Sequence, residues 1–150
     1  MLLSALFVAS ALHTIAFAYG EKGFFNPTKV GDYTIVYTER YAHVAPRTGI
    51  FYLYGKCGVL DKDGVFVVEP VYDSINVPQD GRALFYYSNK DENKYGYGYF
   101  DENWNIDIQP IYGQATDFSE GLAVVSFARN YNSVGYGCID TDGNIIWLFR

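Results

Sequence analysis

After eighteen residues without a charged side chain, MLLSALFVASALHTIAFA, the chain settles into short apolar runs that alternate with polar or glycine positions. Alternation with period two is the mark of a half-buried strand, because successive side chains point to opposite faces. Runs rich in Tyr, Phe, Val and Ile, bounded by Gly, Asp and Asn, predict strands near 33–38, 50–54, 57–61, 65–69, 82–87, 95–100, 105–108, 122–128, 135–140 and 144–148. In YGYGYF, 95–100, Tyr95, Tyr97 and Tyr99 fall on one face and Gly96 and Gly98 on the other. One face then carries rings, and the other lets a neighbouring backbone come close. The uncharged leader is too short and too interrupted for a comfortable membrane span, and it ends in the small-x-small triplet Ala16-Phe17-Ala18. It reads as an N-terminal signal helix over 1–18, cleaved near Ala18, with an uncleaved anchor or a buried helix as the alternatives. A membrane link is expected only through this segment, if it is retained.

The apolar pattern repeats. Gly58, Asp61, Pro70 and Tyr72 return at a constant offset as Gly98, Asp101, Pro110 and Tyr112, and Gly81 and Ala83 return as Gly121 and Ala123. A third copy opens at Gly137-Cys138-Ile139-Asp140, and Tyr41 with Gly49-Ile50-Phe51 resembles a late half-unit upstream. This register decides how acidic clusters are read. Asp117 and Glu120 correspond to Val77 and Asp80, so a two-carboxylate site would be lost in the earlier copy, whereas Gly121 and Gly81 agree. DFSEGLAVV is therefore a turn entering a strand. Asp63-Gly64 and Asp142-Gly143 lack the remaining ligands of a calcium loop and predict type I′ hairpin turns. In the middle copy Asn103-Trp104 takes that place, which predicts an exposed Trp104 at a turn tip, the alternative being a ring folded back on the neighbouring hairpin.

Gly55-Lys56-Cys57-Gly58-Val59-Leu60-Asp61, Val68-Glu69-Pro70-Val71-Tyr72-Asp73 and Phe118-Ser119-Glu120-Gly121-Leu122-Ala123-Val124-Val125 together resemble the WG-repeat, or KWG-repeat, family over about residues 41 to 150. The tryptophan of that motif is replaced by Cys57, Tyr97 and Tyr136. The resemblance implies an exported bacterial β-repeat protein that binds rather than catalyses. The expected organisation is a signal peptide at 1–18, a β segment at 19–56 holding a degenerate half-repeat, and WG-like repeats at 57–96, 97–135 and, in part, 136–150. The expected fold is all-β, with short antiparallel hairpins in tandem repeats of some forty residues, forming either an open stack or a partial propeller-like arrangement.

Composition agrees with that picture and narrows the chemistry. Fifteen Tyr, 11 Phe and 15 Gly against a single Met favour strands and turns. A net charge of −6 opposes a phosphate-backbone grip, so no nucleic-acid partner is expected. Cys57 and Cys138 occupy opposite-facing places in copies one and three, which predicts two unbridged thiols. His43 is the one histidine beyond the leader, so neither a zinc pair nor a supported nucleophile system is visible. Glu69, Asp73, Asp107 and Glu120 are candidate paired carboxylates, but Glu69 becomes Gln109 and Asp73 becomes Gly113 in the next copy. No enzyme activity, cofactor or metal is expected. The expected role is an exported interaction module, secreted, periplasmic or at the cell envelope, with an unidentified protein partner. The alternative is glycan binding through exposed aromatics, with Trp104 and Tyr97 as speculative ligand-binding residues.

Overall fold

A computed structural model describes residues 25–38, 41–44, 51–127 and 135–149. The leader 1–18 and its cleavage site lie outside the described residues. Every regular element among them is a strand: β1 (Phe25–Val30), β2 (Tyr33–Tyr37), β3 (Tyr41–Val44), β4 (Phe51–Tyr54), β5 (Cys57–Leu60), β6 (Phe66–Tyr72), β7 (Ser74–Ile75), β8 (Ala83–Asn89), β9 (Lys94–Phe100), β10 (Ile106–Tyr112), β11 (Gln114–Ala115), β12 (Leu122–Ser126), β13 (Tyr136–Asp140) and β14 (Ile145–Phe149). They form three four-stranded sheets, ordered β1-β2-β5-β6, β10-β9-β8-β7 and β11-β12-β13-β14, and a β3-β4 hairpin. The β1–β2, β2–β5, β3–β4, β7–β8, β8–β9, β9–β10, β11–β12, β12–β13 and β13–β14 pairings are antiparallel, and each four-stranded sheet is open, with two edge strands. The chain divides near residue 72 into two compact units.

The sheets cut across the sequence repeat. Each combines the late half of one copy with the early half of the next, and the chain passes from β6 to β7 at Asp73 and from β10 to β11 at Gly113. The upstream half-unit is not where the sequence suggested. Tyr41–Val44 and Phe51–Tyr54 pair with each other as a separate β3-β4 sheet, while β2 pairs with β5 as β8 pairs with β9. The hairpin lengthens the β2–β5 connection, and this hid the match at the usual offset.

The turns fall into two kinds. Asp61, Asp101 and Asp140 each accept the backbone N–H two and four residues on through Oδ1, at 2.8 to 3.0 Å. Gly64, Trp104 and Gly143 donate their N–H back to the same aspartates' carbonyls and take φ of +80°, +64° and +80°. Only one residue per tip is left-handed, so these are type I turns followed by a left-handed residue and not the expected type I′ turns. The type I′ signature stands elsewhere. Asp80-Gly81 and Glu120-Gly121 have positive φ at both positions, inside the two-residue hairpins Gln79↔Arg82 and Ser119↔Leu122. DFSEGLAVV is thus a turn entering β12, as its register indicated.

The recurring glycine of the motif has a steric cause. A Cβ on Gly98 would lie 2.5 Å from the Ile108 carbonyl oxygen and 2.7 Å from the Phe85 ring, and one on Gly137 would lie 2.7 Å from the Trp147 oxygen. Gly58 faces Val68 and Pro70 in the same way. The recurring tyrosine has a packing cause. Tyr72 sets its ring edge-on to Phe85 at 4.9 Å and to Phe100 at 5.1 Å, and Tyr112 does so to Phe127 at 5.8 Å. Between the second and third sheets, Leu84, Tyr99, Ile108 and Tyr112 bury against Phe118, Ala123, Val125 and Ile139. Within the 72–150 unit the two sheets cover one another's apolar faces, which no single hairpin could do for itself.

Candidate functional site

Trp104 is a core residue. It is 5 % exposed, with its ring centroid 6.1 Å from that of Phe100, and it sits on the turn tip in the place of Gly64 and Gly143. The exposed reading is overturned and the folded-back one holds, for a physical reason. The left-handed backbone turns the indole back over the second sheet, where burying so large a ring repays the turn conformation. An indole in that position has no open face for a sugar.

Tyr97 is placed differently. It is half-buried on β9, its ring tilted against that of Tyr86 of β8, its cross-strand partner, at 4.8 Å between centroids. Tyr95 is exposed two residues before it, and Ser88 donates its hydroxyl to Asp73 at 2.8 Å at the same end of the sheet. Burial, followed by the charge of Asp73 and the neighbouring Tyr97 and Tyr95, raises the Tyr86 phenol above its ordinary value. Tyr86, Tyr95 and Tyr97 thus form a polar-tipped aromatic cluster beside a carboxylate. Of the three, only Tyr97 is a ligand-binding candidate from the sequence. Tyr86 was missed because it becomes a cross-strand neighbour only once the β8–β9 register is known.

Of the acidic residues, Asp73, Asp107 and Asp117 are engaged in structural contacts. Asp107 lies 2.8 Å from Arg82 Nε, off the line of its N–H, so the contact is an ion pair and not a directed hydrogen bond. Arg82 also donates to the Thr141 carbonyl at 3.1 Å. Asp117 accepts from the Asn76 amide at 3.0 and 3.1 Å, Asp80 from the Gly121 N–H at 2.9 Å, and the Thr116 carbonyl from Tyr99 at 2.7 Å. These bonds lace the 76–82 loop and β9 to the next copy. Glu69 and Glu120 are exposed. Among the described residues no group of three or more His, Cys, Asp or Glu is placed to hold a metal ion. Both cysteines are thiols, as expected; Cys57 is fully buried, and Cys138 is partly buried.

The profile of the WG containing repeat matches residues 58–90 and 97–131, two adjacent segments. This chain carries tandem WG repeats. No curated protein and no solved structure matches it. The place of the WG tryptophan can now be read physically. Cys57 stands opposite Tyr37, Tyr97 opposite Tyr86 and Tyr136 opposite Ser126, so in the first two sheets an aromatic ring fills that cross-strand site. The burial-raised Tyr37 phenol is hydrogen-bonded to Cys57.

The outer strand of each WG module carries a second set of exposed positions. On β6 these are Val67, Glu69 and Val71, and on β10 they are Asp107, Gln109 and Ile111. They occupy equivalent places on one backbone and differ in chemistry from module to module.

Proposed function

We propose that the chain is an exported interaction module whose outer strands present graded surfaces to a protein partner at the cell envelope or outside the cell, without catalysis. The observation that carries this reading is the contrast along the outer strands. The scaffold residues Gly58/Gly98/Gly137 and Asp61/Asp101/Asp140 recur, while the exposed rows Val67-Glu69-Val71 and Asp107-Gln109-Ile111 change. Recurrent scaffolding with variable display is how repeat proteins divide folding from binding. Export is motivated by the uncharged leader and Ala16-Phe17-Ala18. The test is capture from the native organism's envelope with the chain from Tyr19 onward, alongside an Ile111→Asp variant. One protein retained by the parent chain and lost from the variant supports the reading. Equal retention by both rejects the outer-strand surface.

The second reading is glycan binding, favoured by the Tyr86–Tyr95–Tyr97 cluster, whose rings and hydroxyls suit a sugar face and rim. Recovery of polysaccharide alone, abolished by Tyr97→Ala, would favour it over the first.

A further inference from the structure

Some side chains of the second sheet have no duty to the repeat. Residues with a steric or packing role recur from copy to copy, but Asp73 gives way to Gly113 and Tyr86 to Ser126, at places matched by the pairs Ser74↔Tyr86 and Gln114↔Ser126. The scaffold stands without them. In the second sheet they gather on one face. The register sets Tyr86 opposite Tyr97 and Ser88 opposite Tyr95, and residues two apart on a strand share a face, so Tyr86, Ser88, Tyr95 and Tyr97 form one patch. Ser88 is its only corner without a ring.

Asp73 fills that corner. Its N–H donates to the Tyr86 carbonyl at 2.9 Å, which fixes it beside β8, and its Oδ2 accepts the Ser88 hydroxyl at 2.8 Å. Neighbours stand about 7 Å apart along a strand and about 5 Å across it, so a cation held by this carboxylate lies within reach of the Tyr86 and Tyr95 rings, about 6 Å for cation–π attraction. Lys94 does not compete, because it alternates to the opposite face of β9 and pairs with Glu92 at 2.9 Å. The patch also runs from dry to wet. Tyr97 packs on the buried cluster, whereas Tyr95 is 39 % exposed. Such an open shelf of rings tipped with hydroxyls suits a pyranose, which offers an apolar C–H face and a polar rim together; a lysine stem offers methylenes alone. The carboxylate then discriminates among sugars, since it attracts an ammonium on the ring and gains no charge pairing from an acetamide.

We propose that Asp73, Tyr86, Ser88, Tyr95 and Tyr97 bind glycans built of amino sugars with free amines, the ammonium seated at Asp73 and the sugar face on the rings. This rests on the glycan reading above and narrows it to a cationic polymer, in keeping with the net charge of −6. The test is calorimetric titration of the full chain with a glucosamine oligosaccharide, its N-acetylated form and an oligolysine peptide. The glucosamine form should bind about tenfold more tightly than the N-acetylated one. Asp73→Asn, whose amide oxygen still accepts from Ser88, should erase that preference, and Tyr95→Ala, at an exposed position, should weaken both sugars, each with unchanged far-UV circular dichroism. Equal affinity for the two sugars, or a preference that survives Asp73→Asn, would overturn the proposal and leave the glycan reading standing. Binding of neither sugar would overturn both, and oligolysine bound as tightly as glucosamine would replace the sugar by a basic protein.

Discussion

Trp104 offers the sharpest test of how this fold is held, because two terms of opposite sign meet at one residue. Its backbone sits at φ +64°, where Gly64 and Gly143 serve in the neighbouring turns. A non-glycine residue there costs about 1–2 kcal/mol. Its side chain is almost fully buried beside Phe100, and truncating a buried tryptophan to alanine costs about 3–5 kcal/mol. Trp104→Ala loses the burial and keeps the strain; Trp104→Gly loses both. Glycine should therefore cost about 2–4 kcal/mol against the parent and be about 1 kcal/mol more stable than alanine. In an ordinary loop the order is reversed, because alanine restricts the unfolded chain and gains about 0.4–1 kcal/mol over glycine. Urea unfolding of the three proteins by far-UV circular dichroism, at equal m-values, reads the difference directly. An alanine variant as stable as the glycine one would refute the strained turn. Losses below about 1 kcal/mol in both would refute the indole's place in the core.

Gly98→Ala should destabilise by about 1–3 kcal/mol through overpacking against the Ile108 carbonyl and Phe85, whereas Gly135→Ala, with open space around its Cβ, should leave the thermal midpoint nearly unchanged. Arg82→Ala should cost about 1.5–3 kcal/mol by removing its charge-assisted bond to Thr141 and its pairing with Asp107, and Arg82→Lys should recover only part in the same unfolding assay. Acid should weaken the fold through two turns. Desolvation pushes the Asp101 carboxyl up, but bonds from Asn105 and Asn103 outweigh it; at Asp140 bonds from Asn144 lead, and both groups lie below their ordinary 3.8. A depressed carboxyl contributes stability that is present above 3.8 and lost as pH falls through the folded value, so replacing both aspartates by asparagine should flatten the pH dependence of the midpoint below 3.8.

Most of the architecture was legible because its causes are local. Strand positions follow from alternation, and the copies announce themselves through residues with a steric duty, such as Gly98 under the Ile108 carbonyl and Tyr112 against Phe127. The short strands β7 and β11 were missed, since two residues carry no period, and β1 and β3 were missed among weak alternation. The hairpin chemistry was assigned to the wrong tips. Asp63-Gly64 has the dipeptide of a type I′ turn, but the carboxylate of Asp61 captures two backbone N–H groups and imposes a longer loop. Trp104 was read two ways, exposed at a turn tip or folded back, and the folded-back reading is the one that holds; turn position alone does not choose between them. The Tyr86–Tyr97 contact and the bonds from Asn76, Asp80 and Arg82 depend on register between strands and copies, which periodicity alone does not supply.

The offset between sequence repeat and sheet has a mechanical meaning. A WG unit read as 57–96 or 97–135 is not a structural part, because β5 and β6 complete the sheet that β1 and β2 begin, and β9 and β10 complete the one that β7 and β8 begin. Each sequence copy therefore lends half its strands backward and half forward. Neighbouring sheets are bound both by the covalent crossing at Asp73 or Gly113 and, in the 72–150 unit, by side-chain contacts such as Tyr99 to Thr116 and Asp80 to Gly121. In an array of self-contained repeats the weakest module can open alone. Here, opening one sequence copy breaks two sheets at once, so losses within the 72–150 unit should be shared across it, and the damage from Gly98→Ala should not stay within the second sheet.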